Sequence, residues 1–442
     1  MVSEIGGERR PGAPAAKHHV AKHHVAILGG GVIGIISAIE LLRLGHEVTI
    51  VEPGEAGGTQ AASYGNAGWL SSHSVIPPSE PGLWKKVPGY LIDPLGPLAI
   101  RWRYLPRVMP WLIRYLLSGW TAARVERTAR ALRPLLVGAP ALHKSLATEA
   151  GVPQLIEQAG VMHIFPSRAD FAAARGAWAI RRKVGVTWSE LSGEDLRQRE
   201  PDLDRRYTFG VLVEEAGRCR NPGAYVAALA DLARARGAVF VRDAALRLRI
   251  EAGRMVGVET ADHGEIACDR AVICAGAYSK PLAAAAGDSI PLESERGYHV
   301  VIADPPVGLR TAAMASDTKM IINATDAGLR AAGQVEFAGL EAAPDWRRAE
   351  ILRDNLLGMF PGLPRDLPPS RMIVWFGHRP SIPDGLPVIG PASATDDVIY
   401  AFGHGHVGLV SSARTGRLVA QLIDGHEPEI PIAPFSARRF RR

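Results

Sequence analysis

Four apolar residues at 25–28 lead into glycines at 29, 30, 31 and 34, and an apolar stretch with helical spacing runs on to Gly45. A second apolar run, 48–51, ends on Glu52. Strand, glycine turn, helix and strand in that order predict a βαβ unit. Leu132, Leu135, Leu136, Leu142 and Leu146 then recur at helical intervals, so 119–150 reads as a helical hairpin. Short strand-like runs follow at 161–165 and 209–214. Asn221-Pro222 opens a helix that reaches Gly237, and the strand 238–241 has neighbours at 247–251 and 255–260. The apolar run 270–275 passes into small residues and a helix start at 276–279.

From 297 to 377 the texture is that of antiparallel strands: 297–303, 320–324, 329–337 and 372–376, with a hairpin turn at 325–328 and a helix over 346–359. The strand 398–401, the glycine-rich turn 403–408 and the helix 409–425 return to α/β texture. The pattern predicts a mixed α/β fold in two discontinuous domains. A Rossmann-like nucleotide-binding domain takes 25–72, 205–285 and 385–428. An antiparallel-sheet substrate domain takes 73–204 and 286–384, with a helical insertion at 98–150. The segments 1–24 and 429–442 read as tails.

The first glycine turn has a chemical reading. Gly29 permits the tight turn out of the strand, and Gly31 lets backbone N–H groups approach a pyrophosphate. Val32 and Ile33 begin the helix whose positive end faces that anion, and Gly34 lets the helix pack close to the sheet. Glu52, 18 residues beyond Gly34, stands where a carboxylate accepts hydrogen bonds from the adenosine ribose, which disfavours a 2′-phosphate. This unit alone does not separate NAD from FAD. The second glycine-rich junction, 403–408, favours FAD: the pyrimidine edge of a flavin gains negative charge on reduction, and the helix start after Gly405 would stabilise it.

Composition narrows the classes. The chain has 442 residues, 47% hydrophobic and 22% charged, as in an ordinary globular enzyme. Its net charge of +6 rests mainly on arginine, but no basic stripe is interleaved with aromatics, so no nucleic-acid partner is expected. Cys219, Cys268 and Cys274 have no metal-ligand or disulfide spacing, and a reducing cytoplasm is the expected compartment. The first 24 residues repeat Lys-His-His-Val-Ala and lack the apolar centre of a signal peptide. Their His-His pairs read as a flexible tail rather than as a metal site. No apolar run is long enough to span a membrane. The segment 98–120 interleaves Arg101, Arg103, Arg107 and Arg114 with Trp102, Trp111 and Trp120. It reads as a helix covering the substrate domain, or as a peripheral contact with the inner membrane.

At this point the motifs resemble those of the FAD-dependent D-amino-acid dehydrogenases, within the superfamily of D-amino-acid oxidase, glycine oxidase and sarcosine oxidase. The resemblance rests on Gly29–Gly34 with Glu52, the Ser-Tyr-x-Asn-Ala-Gly element at 63–68, the segment 271–279, the Trp-Phe-Gly-His-Arg-Pro element at 375–380 with 383–390, and 403–408. It implies that Ser63, Asn66, Ala67 and Gly68 line the flavin, and that Ala275, Gly276, His404, Gly405, His406, Val407 and Gly408 complete its site. Arg379 would bind the substrate carboxylate, as suits a planar guanidinium. Tyr298 would sit on a strand over the flavin and help hold that carboxylate, and His406 would touch the pyrimidine ring or the substrate. His378 is a weaker candidate. No cysteine matches the tethering element of covalent flavoproteins, so FAD is expected to be noncovalent.

The resemblance implies oxidation of a D-amino or cyclic imino acid to an imino acid, by hydride transfer from Cα to flavin N5, with hydrolysis to a 2-oxo acid. Electrons would pass to a quinone or another carrier. A glycine- or sarcosine-type oxidase using O2, and a flavoprotein subunit of a heteromeric amine dehydrogenase, are the alternatives.

Overall fold

The computed structural model describes residues 22–85, 89, 96 and 98–441. Most of the proposed N-terminal tail and much of the stretch from 86 to 97 therefore lie outside the described residues. Among the described residues, no helix is long and apolar enough to cross a membrane.

Two sheets organise the molecule. The first has six strands in the order Val239–Val241, Glu47–Val51, His24–Leu28, Arg270–Ile273, Val398–Phe402 and Val388–Pro391. The first five run parallel, and only the last edge strand is antiparallel. Strands buried on both faces must be apolar throughout. Val25, Ala26, Ile27 and Leu28 are all fully buried, as are Val272, Ile273, Tyr400 and Ala401. The helices Val32–Arg43, Pro222–Ala235 and Gly408–Ile423 contribute buried faces to the core on this sheet. Gly416 permits the first and third to cross closely: a Cβ there would lie 2.7 Å from Ile36 Cγ2. The strands Ala245–Glu251, Arg254–Thr260 and Glu265–Ala267 form a separate antiparallel sheet.

The second large sheet has nine strands. Its order is Met372–Ser381, Glu293–Ile302, Gly328–Phe337, Met320–Thr325, Ala313–Ala315, Val161–Phe165, Phe209–Val213 and Ser189–Ser192, with Leu98–Ile100 beside the third. The helix Arg347–Met359 covers one face, where Leu352, Leu356 and Met359 join Tyr298, Val300, Ile322 and Ala331 in a core of their own. The opposite face looks toward the parallel sheet. An isolated bridge between Ser381 and His404 ties the end of the first strand to the glycine turn at 403–408.

Four of the expected boundaries move. The strand Phe209–Val213 pairs with Val161–Phe165 and Ser189–Ser192, so it belongs to the nine-stranded sheet and not to the nucleotide-binding domain. An isolated apolar run does not say which sheet it joins. The helices Ala122–Leu136 and Ala139–Glu149 lie on the nucleotide side, because Val125, Leu132, Leu136 and Leu146 share a core with Ile36, Val226 and Leu418. Residues 429–441 are no free tail: Phe435 and Ala437 are buried, and the Arg439 guanidinium holds Asp384 at 2.8 Å. His24, placed in the tail, begins the central strand.

Candidate active site

Between the two large sheets lies a cavity of about 1470 Å³, reached by the carboxyl ends of the parallel strands. The helix Val32–Arg43 starts beside it on Gly31 with no side-chain cap and no acid in its first turn. A Cβ on Gly31 would meet nothing nearer than Ser63 Oγ at 3.6 Å, so that backbone stays open to a bulky anion. Ser63 Oγ accepts from Val32 N–H at 3.1 Å. Glu52, at the end of the neighbouring strand, accepts from Gly30 N–H at 2.7 Å and Gly54 N–H at 3.2 Å while lining the cavity. The helix Gly408–Ile423 likewise begins without a side-chain cap or an early acid, after a turn in which Gly403 and Gly405 take φ of 81° and 50°. Two helix starts on one cavity, neither capped by the residue that precedes it, fit a flavin dinucleotide. The first suits its pyrophosphate and the second the electron-rich edge of its ring system.

Across the cavity, residue parity on the second sheet decides which side chains face it. In the antiparallel register Glu295 pairs with Arg379, Gly297 with Gly377 and His299 with Trp375, so these six share one face. Gly297 matters because of what lies over it: a Cβ there would run into the Arg379 guanidinium. Arg379 Nη1 donates to the Gln334 carbonyl at 3.1 Å and Nη2 to the Gly333 carbonyl at 3.4 Å. A bulge between the strands, with Gln334 at φ 59°, turns both carbonyls toward it. Burial lowers the pKa of Arg379, and the Glu295 charge opposes that effect.

Glu295 lies beneath this arrangement, 3% exposed, with Oε1 3.8 Å from Arg379 Nη1 and 2.6 Å from His406 Nε2, and with Oε2 accepting from Ser381 Oγ at 2.9 Å. The His406 contact is off the line of a directed hydrogen bond, and its strength depends on the ring carrying a proton. Burial alone would raise the Glu295 pKa, but His406 and Arg379 bring it down to about 2. Glu295 was not among the expected site residues. Its signal was parity, since it stands two residues before Gly297 on the same strand.

The segment 59–68 is tied down from the substrate side. Arg330 Nη1 donates to Asn66 O at 2.7 Å, Asn323 Nδ2 to Ala67 O at 3.0 Å, and Trp375 Nε1 to Thr59 O at 2.8 Å. Asn66 Oδ1 accepts from Gly68 N–H at 2.9 Å, which spends that side chain on the loop itself. His299 Nδ1 lies 3.2 Å from Gly65 O. His404 is 4% exposed and sits 3.2 Å from Thr415 Oγ1, and burial lowers its pKa to about 3, so it is a neutral ring near neutral pH.

Gly29, Gly31, Val32, Ile33, Glu52, Ser63, Asn66, Ala67, Ala275, Gly276, Arg379, His404, Gly405, His406, Val407 and Gly408 all line the one cavity. Gly34 and Gly68 stand behind its wall. A Cβ on the first would collide with Gly29 O, and one on the second with Cys219 O. Tyr298 lines the cavity too, and the correction concerns its hydroxyl: the side chain packs into the core under the helix Arg347–Met359, is 1% exposed, donates to Glu336 Oε2 at 2.6 Å and accepts from Asp345 N–H at 3.0 Å. It braces the substrate domain and has no hydroxyl left for a substrate carboxylate. His378 also lines the cavity, with Nδ1 2.8 Å from Ser294 Oγ.

Comparison with known proteins places the fold. The family model described as FAD dependent oxidoreductase (DAO) matches residues 24–422. A D-amino-acid oxidase of Bradyrhizobium diazoefficiens is 68% identical over 417 residues, covering 94% of this chain and 99% of that one. A D-amino acid dehydrogenase of a Methylobacterium species (strain 4-46) is 32% identical over 423 residues, 95% and 99% of the two chains. Among solved structures, glycine oxidase from Geobacillus kaustophilus shares the fold at TM-score 0.70 and 23% identity, over 95% of this chain and 100% of that one. L-proline dehydrogenase from P. horikoshii does so at TM-score 0.69 and 18% identity, over 95% and 98%. With the family model spanning both sheets and the cavity between them, the chain belongs to the DAO family of FAD-dependent oxidoreductases.

Proposed function

We infer that the protein oxidises D-amino acids to imino acids, which water then converts to 2-oxo acids. The observation that carries this reading is Arg379, a half-buried guanidinium held by two backbone carbonyls and facing the cofactor cavity. Of its five N–H donors, two are spent on Gln334 and Gly333, and the others remain for a carboxylate. The names of the 68% and 32% identical relatives support a D-amino acid as the bearer of that carboxylate. When bound, FAD supplies the two-electron acceptor for hydrogen leaving Cα. The chain's own part is to orient and to exclude water. Arg379 fixes the carboxylate, Glu295 holds Arg379 and His406 in place, and Trp375 with the loop 63–68 closes the side.

No side chain in this cluster is needed as an obligatory base, because a neutral amine can lose hydride without one. FAD is expected to be held without a covalent bond. All three cysteines are buried. Burial pushes Cys219 and Cys268 up to about 12, and the Cys274 thiol, also raised, donates to Gly29 O at 3.3 Å.

Replacing Arg379 by Met removes a charge-assisted pair worth about 1.5–3 kcal/mol per bond, which lowers kcat/KM by roughly 10²–10⁴-fold. A panel of D-amino acids with dye reduction, assayed on wild type and Arg379→Met, tests the reading. Unaltered kinetics in the variant would refute the clamp.

Two observations bear on the electron acceptor. The 68% identical relative is named an oxidase, which favours O2. The helix Leu105–Ser118 buries Val108 and Trp111 against Phe337, lines the cavity with Met109 and Ile113, and exposes Leu117, with Trp120 and Trp102 exposed beside it. That outer face suits a peripheral membrane contact and a quinone. Stopped-flow reoxidation by air against a soluble quinone separates the two.

A further inference from the structure

The cavity has a second cationic end that the reaction as described does not use. One row of side chains crosses the cavity face of the nine-stranded sheet: His299 pairs with Ala332, Ala332 with Ile321, Ile321 with Met314, and Met314 with His163. His163, Lys319 and Arg181 line the cavity at the far end of this row. Three strand spacings, about 14 Å, separate His163 from the strand whose carbonyls hold Arg379.

Arg181, on the helix Arg175–Lys183, lies over the Trp178 ring with Cζ 4.6 Å from its centroid. Its Nε donates to the His73 carbonyl at 3.2 Å. Among the described residues no carboxylate forms an ion pair with it, and both Nη groups are left for the cavity. Burial lowers its pKa to about 10, with Glu80 at the exposed rim opposing the shift. A guanidinium in such a place still carries its charge, and a charge partly removed from water wants a counterion.

The neighbours are donors as well. His73 and His163 share a hydrogen bond, Nε2 to Nε2, at 2.7 Å, and burial holds both rings neutral. His73 Nδ1 is buried without a partner, so the shared proton belongs on His73 Nε2, because a buried N–H without an acceptor costs more than a bare lone pair. His163 then accepts at Nε2 and keeps its proton on Nδ1, as a donor. Lys319 closes the hairpin between Ala313–Ala315 and Met320–Thr325 and stands within electrostatic reach of the His163 ring.

We propose that Arg181, with His163 and Lys319, forms the subsite for the substrate side chain, and that the preferred substrate carries a second carboxylate there. The substrate class is an acidic D-amino acid, gripped by a guanidinium at each end of the cavity. This rests on the D-amino-acid reading above, and its test is arranged so that the two can fail separately.

The decisive comparison is between isosteres, D-glutamate against D-glutamine and D-aspartate against D-asparagine, which differ in charge and hardly in shape. Wild type should favour the acid in kcat/KM by tenfold or more. Arg181→Met should bring that ratio to near one, and Arg181→Lys should restore part of it, while the flavin spectrum of each variant reports that the fold is intact. A wild-type ratio near one, or a ratio that survives in Arg181→Met, overturns the proposal.

Binding without turnover supplies the independent arm. Dicarboxylates from succinate to pimelate should perturb the FAD absorbance at lower concentration than the monocarboxylates of equal length, and Arg181→Met should abolish that advantage. If no D-amino acid is oxidised at all, the functional reading fails, and the diacid titration alone decides the subsite. Equal affinity for the two acid series overturns it.

Discussion

Gly297→Ala isolates the clamp from the fold. The added methyl would fall inside the van der Waals shells of Arg379 Cζ and both Nη atoms, where ordinary contact begins near 3.4 Å. The backbone can stay, because Gly297 is not among the glycines with positive φ and the clash is with the far end of a flexible side chain. The guanidinium therefore moves, on the order of 1 Å, and leaves the Gln334 and Gly333 carbonyls. Losing those two bonds costs about 1–3 kcal/mol of stability. A misplacement of that size costs catalysis roughly 10²-fold. The assay is a double-mutant cycle on kcat/KM for the best D-amino acid, with thermal melts and flavin absorbance recorded for each protein. If Gly297 acts only by making room for Arg379, then Gly297→Ala costs little in the Arg379→Met background, and the coupling approaches the whole single-mutant effect. Additive losses, or a Gly297→Ala enzyme as active as wild type, would refute the placement of the clamp.

Three further outcomes follow from the same geometry. Glu295→Gln should flatten the acid limb of stability. The carboxyl moves from an ordinary 4.5 to about 2 on folding, so its contribution is present above pH 4.5 and is lost as pH falls toward 2. At about 1.4 kcal/mol per pH unit that is roughly 3 kcal/mol in all, of which about 2 kcal/mol is lost between pH 6 and pH 3, and denaturant melts at those two pH values would show that loss in wild type and not in the variant. Tyr298→Phe leaves Asp345 N–H and Glu336 short of a partner and should cost about 1–3 kcal/mol in thermal melts while KM stays within twofold; a large rise in KM with an unchanged melt would return Tyr298 to the substrate. Gly34→Ala drives a methyl into Gly29 O, displacing the helix start, and should yield protein without bound FAD by absorbance at 450 nm.

The nucleotide half of the site was legible because its chemistry is local. A strand, a glycine turn and a helix start lie within 28 residues, and Gly29, Gly31 and Glu52 stand where that spacing predicts. The substrate half depends on register, which no local pattern carries. Arg379 came through because its motif is distinctive. Tyr298 was placed on the right strand and the wrong face, since a strand presents successive residues to opposite sides and only its pairing with Phe376 shows which side is which. The same one-residue step hid Glu295, which faces the cavity because Gly297 and His299 do. Arg181 was beyond reach for a different reason. Its helix, Arg175–Lys183, has Arg181, Arg182 and Lys183 together in its last turn, and nothing in their order marks one as turned to the cavity. Trp178 settles that: packed against His163 and Trp188, it draws the helix face at Arg181 onto the nine-stranded sheet and leaves Arg182 exposed, stacked on Trp188. Both guanidinia on this cavity are thus placed by aromatic and glycine neighbours, Trp178 for Arg181 and Gly297 for Arg379. Mutating those neighbours should change substrate choice at one end and turnover at the other.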